Sequence, residues 1–253
     1  MKKIIVCFSI LLALVVASGF GQELGQKVYK EVTINGEIVK KWLKVTGIED
    51  YDERGKSLYE KDTDGFSQYE YDDKGNEIHW VWQTGKDRYE YWYEYDDQNR
   101  KIRQSETKPK KNSFKGTWYE YDDKGNLIRE VDKDRTGKKI TGEVLYENDR
   151  EGRLIHKKTS YNETYYEYNK QGNLIHKTSS NGDEQWYEYD TKGNKVHLVW
   201  KTSTGKVYEY WYEYDEKHRL IHTDYKSAGE HLFFSYEEWP NGNIKRRIKY
   251  ESV

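Results

Sequence analysis

The nine residues Trp118–Asn126 read WYEYDDKGN. Aromatic Tyr119 and Tyr121 alternate with Trp118 and Glu120 in steps of two, the period of a β-strand. Asp122 followed three residues later by Gly125 is the signature of a type I turn with aspartate at its first position. A glycine there accepts the left-handed conformation that closes a hairpin through a bulge. The stretch therefore predicts a strand running into a tight turn, with a second strand returning from Asn126.

The same string recurs along the chain. It appears as YEYDDKGN from Tyr69, WYEYDDQNR from Trp92, YYEYNKQGN from Tyr165, WYEYDTKGN from Trp186 and WYEYDEKHR from Trp211. Degenerate copies start at Lys30, Glu49, Tyr146 and Tyr236. Taking the turn glycine as a marker gives ten units, at Gly36, Gly55, Gly75, Asn99, Gly125, Gly152, Gly172, Gly193, His218 and Gly242. Units one to five and six to ten repeat nearly the same spacings: HWVWQTGKDRYEYWYEYD from His79 returns as HLVWKTSTGKVYEYWYEYD from His197. We read a duplicated five-unit block with halves at about 22–140 and 141–253 and no linker between them, hence a single repeat domain over 22–253.

After the marker, nine units carry Val, Leu or Ile at the third position, among them Ile128, Ile155, Ile175 and Ile221. A second polar loop follows, usually with a glycine such as Gly65, Gly85 or Gly205. One unit is thus two short antiparallel strands, and no helical periodicity competes. The expected fold is all-β, a tandem array of antiparallel hairpins forming an elongated, twisted or curled sheet. About twenty strands at ~4.8 Å would span roughly 90 Å. Gly55, Gly75, Gly125, Gly152, Gly172, Gly193 and Gly242 are read as turn-forming, with a backbone role. Asn99 and His218, which replace glycine, belong to the residue types enriched at positive φ.

The first 21 residues differ from the rest. Lys2 and Lys3 precede an apolar run from Ile4 to Val16, and small residues follow at Ala17, Ser18, Gly19 and Gly21. This is the pattern of a secretory signal peptide at 1–21, and the run falls short of the ~20 apolar residues of a spanning helix. Export to the periplasm, outer surface or medium is expected, with no transmembrane segment in the mature chain. The single cysteine, Cys7, lies inside this segment, so no disulfide or cysteine metal ligand is expected beyond it. Without Lys2 and Lys3, 41 of the 43 basic residues remain against 45 acidic ones, a net charge of −4. That balance argues against nucleic acid as a partner. Charged residues at 35% would suggest disorder, but 25 Tyr and 9 Trp supply large burial.

At Tyr71-Asp72 to Gly75, Tyr121-Asp122 to Gly125 and Tyr189-Asp190 to Gly193, the chain resembles the YD-repeat (RHS-repeat) proteins. Their motif runs tyrosine-aspartate, two residues, glycine, a polar residue and an aliphatic one. The resemblance covers most of residues 46 to 247. It implies a β-hairpin array at a bacterial surface, in the envelope or in a secreted shell. This chain reads as a short exported member without a toxin domain. More weakly, it is similar to choline-binding and glucan-binding repeats, whose Gly-Trp pair is missing here. The turn at Trp239-Pro240-Asn241-Gly242 is also similar to MORN-type hairpins.

Candidate chemistry lies in two patterns. Five residues before the marker every unit is acidic, as at Glu70, Glu94 and Glu188, and four residues after it nine units carry a potential cation, as at His79, Arg103 and His197. Successive hairpins put equivalent positions ~10 Å apart, too far for one zinc ion. Cross-strand charge pairing is the expected use. Asp62, Asp64 and Gly65 hint at a calcium loop, but Tyr71 stands where its closing glutamate is needed. Asn162-Glu163-Thr164 matches a glycosylation sequon by coincidence. No cofactor, metal or catalytic residue is implied. The second pattern is Trp92, Trp118, Trp186 and Trp211, seven residues before the marker. They share a strand face with the glutamates and are candidate ligand-stacking residues. The expected function is a non-enzymatic exported repeat protein presenting an extended β surface to a protein or glycan of the envelope. The alternatives are a purely structural envelope module and, with no unique carboxylate pair to support it, a carbohydrate-active enzyme.

Overall fold

The computed structural model describes residues 22–108, 111–134 and 136–253, so the signal peptide read at 1–21 lies outside the described residues. It contains nineteen strands, all paired antiparallel, and no helix among the described residues. Each strand pairs with its sequence neighbours. The last, β19 (Ile244–Ser252), also pairs with β2 (Glu37–Tyr51), in register from Arg246↔Asp50 to Ser252↔Leu43. Strands β2 to β19 therefore close into an 18-stranded barrel. The elongated, twisted or curled sheet expected from the repeat is corrected to a closed ring.

The reason lies at the turns. In each of units two to ten the ladder shifts register between the positions five and four before the marker, for example Glu70/Tyr71, Glu120/Tyr121 and Glu188/Tyr189. Glu70 pairs with His79 and Tyr71 with Glu77, so Ile78 is left over as a bulged residue. The aliphatic third position after the marker is thus a bulge and not a rung of the ladder. Leu58, Ile102, Ile128 and Ile155 remain 37–41% exposed there. A bulge strengthens the local right-handed twist and bends its strand. Nine of them along one rim curl the sheet, and closure leaves the ring no free edge. Unit one is the exception. Its hairpin turns through Asn35 and Gly36 at positive φ without a bulge, and β1 (Lys27–Ile34) stays outside the ring, paired only with the first half of β2.

Two side-chain devices hold the bulged hairpins of units three to nine. The aspartate at the turn accepts backbone N–H groups with one carboxylate oxygen: Lys74 N and Asn76 N donate to Asp72 Oδ1 at 3.0 and 2.8 Å. Then a tyrosine hydroxyl ties the unit to its predecessor. Tyr71 donates to Ser57 O, Tyr95 to Glu77 O, Tyr121 to Lys101 O and Tyr189 to Leu174 O, at 2.7–2.9 Å. Where unit six has Asn148 in place of tyrosine, its amide Nδ2 donates to Leu127 O at 2.9 Å.

The seam reuses this chemistry. Trp239 Nε1 donates to Tyr51 O at 3.2 Å, and the amides of Asn241 and Asn243 both donate to Glu53 O. Asp50, whose own unit carries Tyr59 in the cation position, pairs with Arg246 across the seam at 2.6 Å. The main buried cluster also sits here: Leu43, Val45, Phe233, Ile248 and Tyr250, covered by Val28, Val32 and Ile34 of the first hairpin. Away from it the wall is a single layer.

All seven turn glycines named above have φ between 80° and 88°, and Asn99 and His218 lie at 60° and 62°. A Cβ on Gly193 would meet nothing within 4 Å, so substitution there costs backbone strain alone. Gly193→Val is expected to destabilise by about 1–3 kcal/mol and Gly193→Asn by much less. Denaturant unfolding of the two variants checks this; equal midpoints would contradict it.

Candidate binding surface

Alternation gives the wall two chemically distinct faces. On one, each glutamate, the cation opposite it and the aromatic residue of the next unit form a rung. His79 Nδ1 lies 3.5 Å from Glu70, and its ring stacks on Trp92 at 4.8 Å. The same rung recurs as Glu167–His176–Trp186 and Glu188–His197–Trp211, with ring separations of 5.2 and 3.8 Å. In unit four Arg103 takes the histidine's part, bonding Glu94 at 2.8 Å and lying 5.2 Å from the centre of Trp118. Rows of direct cross-strand partners explain this: Glu188 faces His197, and His197 faces Trp211. Among the described residues no cluster of three or more His, Cys, Asp or Glu could hold a metal ion.

The four tryptophans are not equivalent. Trp118 carries Arg103 and also Lys133, at 4.6 Å, against its ring; Trp211 carries His197 and Lys226, at 4.9 Å, and is 37% exposed. Trp92 and Trp186 are each stacked on one histidine and are 36% exposed, with exposed Glu94 and Glu188 beside them. A flat ring with an adjacent carboxylate suits stacking on a sugar face or a cation.

The rung at His222 is buried more deeply, with 1% exposure. Its Nδ1 lies 2.9 Å from Glu213 Oε2, its Nε2 lies 3.1 Å from His231 Nδ1, and it stacks on Phe233. Burial lowers the His222 pKa, against the raising effect of Glu213. The second oxygen of Glu213 accepts the Gly36 N–H at 3.2 Å, which fastens the tip of the first hairpin.

The opposite face carries the tyrosines. Burial pushes the Tyr71 and Tyr212 phenols up to about 12, and raises those of Tyr93, Tyr119 and Tyr146 as well. These hydroxyls remain protonated at neutral pH and able to donate. The same face holds a depression lined by Glu60, Ser67, Tyr69, Trp80 and Trp82. Sequence reasoning missed it because it forms between units. The signal was there in Gly65 and Ser67, small residues where the second half has Asp183 and Gln185.

No family model matches the chain, and no curated protein does. Among solved structures, it is similar to a TcdB2-TccC3 chain, with 12% identity over 83% of this chain, a TM-score of 0.29, and 16% of that chain covered. It is also similar to porin-like proteins from Bacteroides uniformis (10% identity, TM-score 0.40) and Bacteroides vulgatus (12%, TM-score 0.30). In both cases 83% of this chain covers 98% of the other. The chain spans about a sixth of the TcdB2-TccC3 chain, which it covers at 16%.

Asparagine side-chain bonds are the largest cause that lowers the carboxyl pKa of Asp72, Asp122 and Asp190. A folded pKa below the unfolded ~3.9 contributes stability above that value and loses it as pH falls through the folded one. The melting temperature is therefore expected to drop below about pH 4. Asn169 already makes the same turn bonds with an amide oxygen, at 3.0 and 2.9 Å. The triple variant Asp72→Asn, Asp122→Asn, Asp190→Asn should accordingly fold and show a flatter acid limb in thermal melts between pH 6 and 3. An unchanged acid limb would contradict the assignment.

Proposed function

We propose that the chain is a non-enzymatic, exported barrel that offers its tryptophan face to a glycan or protein of the cell envelope. The observation that carries this reading is the pair Trp92 and Trp186. Each has one ring face backed by an imidazole, partial exposure and a neighbouring exposed carboxylate, and the two lie in different halves of the duplication.

Two features favour a barrel bathed in water on both sides over one seated in lipid. No helix among the described residues is long and apolar enough to cross a membrane, which leaves the strands to be considered. Several strands have only five or six residues, such as Leu154–Lys158 and Glu184–Tyr189, where a spanning strand needs ~9–11. Both faces also carry charge in mid-strand, Arg129 and Glu70 on one, Glu130 and Lys157 on the other. A lysine or arginine on a lipid face costs about 2–4 kcal/mol at the midplane. Against catalysis, the glutamates of the rungs are committed to cations and repeat from unit to unit. The purely structural reading has its own support in Trp118 and Trp211, each of which has a lysine against its ring.

Two sites in one molecule raise avidity when both engage the same partner. Trp92→Ala or Trp186→Ala alone should weaken binding to a glycan array or envelope preparation modestly, and the double variant by roughly tenfold or more. Circular dichroism verifies that the variants stay folded. Full binding by a folded double variant would favour the structural reading.

A further inference from the structure

The depression on the tyrosine face lies on a row of direct strand partners, Glu60, Ser67, Trp82 and Tyr89. Ser67 is only 7% exposed and too small to fill the space between Glu60 and Trp82. Tyr69 and Trp80, themselves partners, form a second wall. At the end of the hollow Gly65 admits no side chain, since a Cβ there would sit 2.0 Å from Gln83 O. The open depression holds about 290 Å³, just under the ~300–1,000 Å³ of small-ligand sites.

Its charge is unbalanced. Glu60 accepts the Tyr69 hydroxyl at 3.2 Å, and Asp62 accepts the amides of Asp64 and Gly65 at 2.8 and 2.9 Å. Among the described residues neither carboxylate makes an ion pair, whereas Glu49, next to Glu60 in the row, bonds Arg247. An aromatic hollow with two carboxylates that make no ion pair lacks a cation.

The duplication supplies an internal control. In the second half the same row reads Lys177, Gln185, Trp200 and Tyr208. Gln185 occupies the place of Ser67 and accepts the Tyr187 hydroxyl at 2.5 Å, while Lys177 and Ser179 replace Glu60 and Asp62. A hollow of about 200 Å³ lies beside it over the preceding strands, lined by Thr164, Lys177, Ser179 and Gln185 with no tryptophan in its wall. Packing is satisfied by the filled version, so the open acidic one is not a requirement of the fold.

We propose that this hollow binds a cationic amino sugar, with its ammonium on Glu60 and Asp62 and its ring against Trp82. The aromatic walls favour a sugar over a plain alkylamine, because they match its C–H faces and attract its charge. The proposal rests on the glycan reading above and assigns it a second surface.

The test is calorimetric titration of the whole protein with a glucosamine tetramer, its N-acetylated counterpart and cadaverine. The deacetylated tetramer should bind, the acetylated one roughly tenfold more weakly or worse, and cadaverine more weakly still. Glu60→Gln and Ser67→Gln should each abolish most of the binding, and Lys177→Glu should leave it unchanged. Ser67→Gln copies a residue the fold already accepts at the equivalent place, and thermal melts check that it folds. Equal affinity for the acetylated tetramer would overturn recognition of the ammonium while leaving glycan binding intact. Cadaverine binding as tightly as the tetramer would overturn the sugar. Binding kept by Ser67→Gln but lost in the Trp92→Ala, Trp186→Ala variant would overturn this site and leave the tryptophan face standing. No binding by any of the three probes would overturn the proposal.

Discussion

A single extra residue at the rim of nine of the ten hairpins determines the shape of this protein. The aspartate of the turn and the left-handed residue after it hold a bulge between the acidic position and the tyrosine that follows. In units three to nine that tyrosine, or Asn148 in unit six, then bonds the carbonyl two residues past the preceding marker and locks its hairpin to the one before it. Bulges add twist and bend on one side of a sheet. Repeated nine times at one rim, they turn a ribbon into a ring. The unbulged first hairpin shows the converse, since it leaves the wall and folds across the seam.

Closure concentrates the apolar core in one place. Most of the wall is a single layer whose faces are covered by rungs of aromatic rings, carboxylates and cations. Only beside β2 and β19 does a second layer form, as β1 covers Leu43, Val45, Phe233, Ile248 and Tyr250. Lys30 strengthens that cover by donating to the Tyr250 hydroxyl at 2.7 Å. The seam also depends on an irregularity of the repeat: Tyr59 stands where other units have a cation, which leaves Asp50 to Arg246. A perfectly regular array would have no such reason to join its ends.

Much of this was legible in the residues. Alternation of Tyr and Glu, the Asp-x-x-Gly turns and the substitutions at Asn99 and His218 describe hairpins directly, and the acidic and basic positions are cross-strand partners as their spacing implied. Ring closure was not legible, because nothing local distinguishes a curled ribbon from a closed one. The sequence pattern marks an aliphatic residue after nine of the ten turns without showing its part in the ladder, where Ile78 and its equivalents are the bulged residues. The surroundings of the tryptophans depended on distant residues too. Lys133 lies across the strand pair from Trp118, and Lys226 lies beyond the next hairpin turn from Trp211. The hollow at Ser67 required the register of four strands, which comparison of the two halves alone could only hint at.

The central claim is that the sheet closes between its second and last strands, and hydrogen–deuterium exchange reads this directly. In a closed barrel β19 is bonded on both edges, so amides from Arg246 to Tyr250 should exchange as slowly as those of an interior strand such as β5 (Glu77–Thr84). Exchange along β19 and the second half of β2 as fast as in β1, which has only one bonded edge, would mean an open sheet and would contradict the account.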